Sequence, residues 1–281
     1  MTTGPVPALS IVSRAPRPPN RPFFPSPPIS HIHQININMS ECCKSGFKWN
    51  GTSTGKETSL GKNQAYVTGD NKDAAVLIVC DVFGWKLPNI RLLADHYAKE
   101  ANVTVYVPDY FDGEVVDEDA LSNPEKREKF DVMAFIGRNG KEIRYPEILA
   151  NAKELKSQYK KVGAIGFCYG AWAVLRLGSK DEPLIDSAAV AHPSLLEESE
   201  IANIGVPVQF ISPETDPMFT PELKEFTLKT LPGLNVPFNY DYYPGLVHGF
   251  ATRGDQSDPK QKEGLERAKN SAVYWFKQFL H

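Results

Sequence analysis

One pentapeptide constrains this chain more than any other feature: Gly166-Phe167-Cys168-Tyr169-Gly170 stands between an apolar β-branched run, Val162 to Phe167, and a helix-forming stretch through Leu177. Two glycines flanking a reactive side chain at a strand-to-helix junction have the form of a nucleophile elbow, with cysteine in the usual serine position. The turn forces the nucleophile into a strained backbone conformation, so its neighbours two residues away must be small for strand and helix to approach. At ordinary amino-acid frequencies the pattern arises by chance about 0.02 times in a chain of this size. A structural cysteine packed between glycines is the bland alternative. A thiol at a helix N-terminus also feels the positive end of the helix dipole, which favours the thiolate.

The surrounding pattern alternates strands with helices. Ala74 to Cys80 reads as a buried strand and Asn89 to Glu100 as the helix after it. Val103 to Val107, Ala188 to Ala191, Val206 to Ser212 and Phe238 to Tyr243 read as further strands, with helices over Tyr145 to Tyr159 and Gln261 to Leu280. This order predicts an α/β fold: a mainly parallel central sheet with helices on both faces. Residues 114–144, charged and broken by Asn123-Pro124 and Arg138-Asn139-Gly140, read as an insertion over the sheet edge. It either walls a ligand crevice or is a solvated excursion.

Nucleophiles on this architecture take an acid and then a histidine from loops after later strands. Asp216, in Ser212-Pro213-Glu214-Thr215-Asp216-Pro217, and His248, in Pro244-Gly245-Leu246-Val247-His248-Gly249-Phe250, supply them in that order. The candidate catalytic set is therefore Cys168, Asp216 and His248. Glu214 is a rival acid, with Pro217 favouring Asp216. His192 follows a strand but precedes every good acid, so it either lines the pocket or belongs to the core. His31, His33, His96 and His281 read as surface residues. The candidate oxyanion hole consists of the Tyr169 and Val82 backbone amides. Asp81, directly after an apolar strand, either faces the site or caps a turn.

The same combination, with Phe83-Gly84-Trp85 after the strand ending at Asp81 and Val107 to Phe111 further on, resembles the dienelactone hydrolase family over about Cys42 to His281. It is similar in particular to the eukaryotic carboxymethylenebutenolidase-like branch. The resemblance implies an α/β-hydrolase fold, a Cys-His-Asp triad and hydrolysis of enol lactones or related esters. It places Asp81 where bacterial members carry a thiol-activating Glu, sets Trp85 beside the substrate, and makes Arg253 an out-of-register counterpart of an arginine that binds a substrate carboxylate.

Composition sets the outer limits. The 281 residues carry 31 basic and 34 acidic side chains, a net charge of -3 that gives no footing for nucleic acid. A hydrophobic share of 41% excludes wholesale disorder, and the longest apolar run is too short to span a membrane. No phosphate-binding loop or metal-ligand cluster is evident, so no cofactor is expected; the expected partner is a small-molecule ester or lactone. Four cysteines, Cys42, Cys43, Cys80 and Cys168, are too few for a disulfide framework and suggest a reducing, cytoplasmic setting. Residues 1–40 read as a disordered Pro-rich extension ahead of a hydrolase domain at 41–281. Arg14, Arg17 and Arg21 with no acid before Glu41 give the extension the charge bias of a mitochondrial transit peptide, and Met39 is an alternative start.

The chemistry expected is a cysteine-nucleophile hydrolase working through a thioester. The same triad would serve an acyltransferase or thioesterase, separated by which acceptor takes the acyl group. A thiol sensor or a binding protein on the same fold would show no acyl adduct.

Overall fold

Six strands are joined by parallel pairing, and two more extend one border by antiparallel pairing, in a single eight-stranded sheet. The computed structural model describes Met1 and residues 46–281 apart from Ser122, all but Met1 within the unit Asn38–His281. The Pro-rich stretch, His31, His33 and the Cys42-Cys43 pair lie outside the described residues. The strands are β1 (Lys56–Leu60), β2 (Asn63–Thr68), β3 (Ala74–Val79), β4 (Thr104–Pro108), β5 (Lys161–Phe167), β6 (Ser187–Ala191), β7 (Val208–Thr215) and β8 (Phe238–Val247). Their order across the sheet is β1-β2-β4-β3-β5-β6-β7-β8. Every residue of β3 and β6 is buried, as expected of strands covered on both faces.

The long helices form for local reasons. The first, α1 (Pro88–Ala101), begins with proline at its first turn and ends at Asn102, whose φ of 55° gives a left-handed cap. It buries Ile90, Leu93, Ala94, Tyr97 and Ala98 at helical spacing. The last, α9 (Pro259–Leu280), is capped by the Asp258 carboxylate, which accepts from the Lys260 and Gln261 amides at 2.8 and 3.3 Å. It packs on α1, β5 and β6. Between them in sequence lie α2 (Pro124–Lys129), α3 (Val132–Arg138), α4 (Lys141–Gln158), α5 (Ala171–Leu177), α6 (Glu198–Ala202), α7 (Pro221–Thr230) and α8 (Phe250–Arg253). Among the described residues no helix is long and apolar enough to cross a membrane.

Three features depart from the sequence reading. The antiparallel β1–β2 hairpin was not predicted; it turns at Gly61, whose φ is 56°. Helix α4 starts at Lys141, a turn before Tyr145, with Gly140 as its N-cap: the Gly140 carbonyl accepts from the Ile143 and Arg144 amides at 3.0 and 3.1 Å. The insertion at 114–144 sits over the carboxyl ends of the central strands β3 and β5, not at a lateral edge. Val116 donates to the Val82 carbonyl at 2.9 Å, and Phe111 packs edge-on against Phe135 and Tyr169, each at 5.0 Å.

Candidate active site

The elbow is built where β5 gives way to a tight 3-10 turn, Cys168–Gly170, that runs into α5. Cys168 has a φ of 49°, a left-handed conformation that costs a non-glycine residue about 1–3 kcal/mol. The flanking glycines have no alternative. A Cβ on Gly166 would lie 2.4 Å from the Gly170 carbonyl oxygen, and one on Gly170 would lie 2.1 Å from that of Val79. The turn thereby aims the sulfur at the ends of the neighbouring strands.

His248, just beyond β8, places Nε2 3.1 Å from Cys168 Sγ. Its Nδ1 lies 2.9 Å from each carboxylate oxygen of Asp216, just beyond β7. The carboxylate is itself aligned, Oδ1 accepting from the Met218 and Phe219 amides at 2.8 and 3.1 Å. A register shift between Pro213 and Thr215 bends the β7–β8 pair at this point, and the His248 amide donates to the Thr215 carbonyl at 3.2 Å. Burial disfavours the imidazolium, but the charges on Cys168 and Asp216 and their hydrogen bonds outweigh it. His248 is pushed up to about 10. The resulting arrangement favours the protonated ring of His248 between Cys168 and Asp216. Glu214 is exposed and turned elsewhere, accepting from the Gly245 amide at 2.5 Å.

The residues around this core divide clearly. Tyr169 is buried, and its hydroxyl donates to the Asn139 carbonyl at 2.5 Å, tying the elbow to the insertion. Val82 is buried in the loop after β3. His192 is fully buried after β6, its ring edge-on to His248 at 5.1 Å, and burial pushes it down, against the pull of Cys168. Trp85 is buried with the Arg91 guanidinium 4.8 Å from its ring centre. Exposed His96 holds Glu100 at 2.6 Å, and His281 lies 2.8 Å from the Ala101 carbonyl, both away from the site.

Asp81 and Arg253 meet each other. The carboxylate takes the Phe83 amide at 3.0 Å, the Thr252 hydroxyl at 3.0 Å and the Arg253 guanidinium, which also lies over the Phe83 ring at 4.9 Å. Asp81 therefore both caps its loop and reaches the interior beside the site. Arg253 is 2% exposed, its charge directed inward to Asp81 where the sequence expectation had it meet a substrate carboxylate. Gly249, at φ 87°, leaves room for this: a Cβ there would lie 2.5 Å from Arg253 Nη2.

Sequence reasoning missed Ser194. Its hydroxyl lies 3.4 Å from Cys168 Sγ and its amide donates to the Cys168 carbonyl at 3.0 Å. The available signal was positional, since β6 neighbours β5 and the loops after the two strands must meet.

A mainly parallel sheet with an elbow cysteine after a central strand, and an acid and a histidine after the last two strands, defines an α/β-hydrolase. The family model described as the dienelactone hydrolase family matches residues 64–280, and the chain belongs to that family. It is a hydrolase. It is 30% identical over 245 residues to a carboxymethylenebutenolidase homolog of Homo sapiens, covering 85% of this chain and 96% of that protein. It is 28% identical over 250 residues to the hydrolase pyvD of Aspergillus violaceofuscus, covering 87% and 98%. Among solved structures, a putative dienelactone hydrolase from Klebsiella pneumoniae superposes with a TM-score of 0.62 at 18% identity, over 82% of this chain and all of that one.

Proposed function

We propose that the protein hydrolyses an activated carboxylic ester or an enol lactone through a thioester on Cys168. The observation that carries this reading is the chain of contacts from sulfur to carboxylate: 3.1 Å from Cys168 to His248 and 2.9 Å from His248 to Asp216. The thiol proton passes to His248 Nε2 and the thiolate attacks the substrate carbonyl. The Tyr169 and Val82 amides serve as oxyanion donors, and the imidazolium gives its proton to the departing oxygen. His248 then takes a proton from water, hydroxide adds to the thioester, and the thiolate leaves. Asp216 orients the ring and balances its charge throughout.

Sulfur limits the substrate. With an ordinary thiol pKa of ~8.5, the thiolate leaves a tetrahedral adduct more readily than a simple alkoxide or amide does, so such substrates revert. Enol lactones, aryl esters and thioesters carry leaving groups stable enough to compete. The inward pairing of Arg253 favours an ester with no carboxylate to anchor.

Intact-mass analysis during turnover of an activated aryl ester, with Cys168→Ala in parallel, tests this function. A transient acyl adduct present only with Cys168, together with product release, is expected. Undiminished turnover by Cys168→Ala would overturn the reading.

A further inference from the structure

The loop after β6 is folded against the nucleophile under backbone strain. His192 has a φ of 37° and Leu195 a φ of 59°, so two residues of four occupy the left-handed region outside glycine. Two backbone hydrogen bonds hold the loop there. The His192 amide donates to the Ile211 carbonyl at 2.9 Å, and the Ser194 amide donates to the Cys168 carbonyl at 3.0 Å. Between these anchors the Ser194 hydroxyl rests 3.4 Å from Cys168 Sγ, with both residues only 1% exposed.

We propose that Ser194 donates its hydroxyl hydrogen to the Cys168 thiolate, making it a further holder of the anionic nucleophile beside the His248 and His192 rings. The inference rests on the proposed thiolate chemistry. A neutral thiol is a poor acceptor, and a hydroxyl withdrawn from water gains little from it. Against a thiolate the same contact becomes charge-assisted and correspondingly stronger. When the thiol proton moves to His248, the sulfur gains a full negative charge and the Ser194 bond strengthens. When the sulfur is acylated, that charge leaves and the bond weakens. Ser194 therefore favours the free thiolate at both ends of the cycle. It holds the resting nucleophile ionised, and it makes sulfur a better leaving group when the thioester is hydrolysed.

The charged and titratable groups around the sulfur come from four loops: His248 after β8, Asp216 after β7, His192 after β6, and Asp81 after β3 with its partner Arg253. Replacing Ser194 changes none of them. The hydroxyl's effect is therefore separable as a shift in the thiol titration.

The test is the rate of Cys168 alkylation by iodoacetamide against pH in the full-length protein, read by peptide mass mapping. Wild type is compared with Ser194→Ala and with Ser194→Thr, which keeps the hydroxyl. A hydrogen bond to a charged group is worth about tenfold or more in an equilibrium. The Ala variant is thus expected to titrate about one pH unit higher, and Thr to stay near wild type. The thioester adduct formed from an aryl ester is expected to persist longer in the Ala variant, because deacylation slows. Should the Ala variant not fold, Ser194→Val, which fills the site with no donor and adds no titratable group, is read in the same way. Identical titrations in wild type and variant, with turnover still dependent on Cys168, would overturn the role of Ser194 and leave the hydrolase reading intact. Turnover that survives Cys168→Ala would overturn both.

Discussion

The Arg253 guanidinium lies on the Asp81 carboxylate in the interior, their side chains 1% and 4% exposed, and brings the turn after His248 against the loop after β3. Removing one member leaves the other charged and uncompensated, which costs about 3–5 kcal/mol in comparable buried pairs. Arg253→Met is therefore expected to lower stability by that order in urea unfolding, and Arg253→Met with Asp81→Asn to recover much of it. Equal losses in the single and double variants would count against this coupling.

The same pairing bears on substrate choice. With Arg253 turned onto Asp81, adding a carboxylate to an aryl ester is expected not to raise kcat/KM, which competition between matched neutral and anionic esters measures. A clear preference for the anionic ester would show that Arg253 leaves Asp81 for substrate.

His248 gives a pH signature. Its folded value of about 10 stands above the ordinary 6.5, so its contribution to stability is complete below about pH 6.5 and is lost as pH rises through about 10. Chemical denaturation at stepped pH should show that decline, shallower in Cys168→Ala, where one of the charges that raises it is gone. Nitrogen NMR of the ring should find it protonated at neutral pH.

Gly170→Ala tests the elbow. The added methyl would sit 2.1 Å from the Val79 carbonyl oxygen, and neither backbone can yield without displacing β3 or β5. Loss of soluble folded protein, or of nearly all turnover, is expected. Gly233→Ala, where a Cβ meets nothing within 4 Å, is the matched control and should behave as wild type.

Tyr169→Phe removes the hydrogen bond from the elbow to Asn139 and leaves a buried carbonyl short of a donor, a loss of about 1–3 kcal/mol. Because the contact joins the elbow to the insertion, KM is expected to rise more than kcat falls in steady-state kinetics.

The parts legible in the sequence are those whose causes are local. Gly166 and Gly170 announce the elbow because steric exclusion acts within a few residues. Asp216 and His248 were findable because parallel strands deliver their following loops to one end of the sheet in chain order. The β1–β2 hairpin was not, because four of the five β1 residues are exposed and polar, leaving no apolar alternation to read. The Asp81–Arg253 pair joins positions 172 apart, and nothing near either residue names its partner. Ser194 was hidden similarly: its importance lies in the lateral neighbourhood of β5 and β6 and in a strained loop.

The strand order also divides the molecule unequally. The β1–β2 hairpin closes one border of the sheet, with β4 and β3 between it and the nucleophile strand; the opposite border is β8, which carries His248 at its end. A splice or fusion at the hairpin border leaves Cys168, Asp216 and His248 on their own supports, whereas peeling away the β8 border takes His248 with it. The two margins of the sheet therefore differ in what they hold: one contributes only core packing, through Leu60, Ala65 and Tyr66, and the other contributes a residue of the candidate site as well.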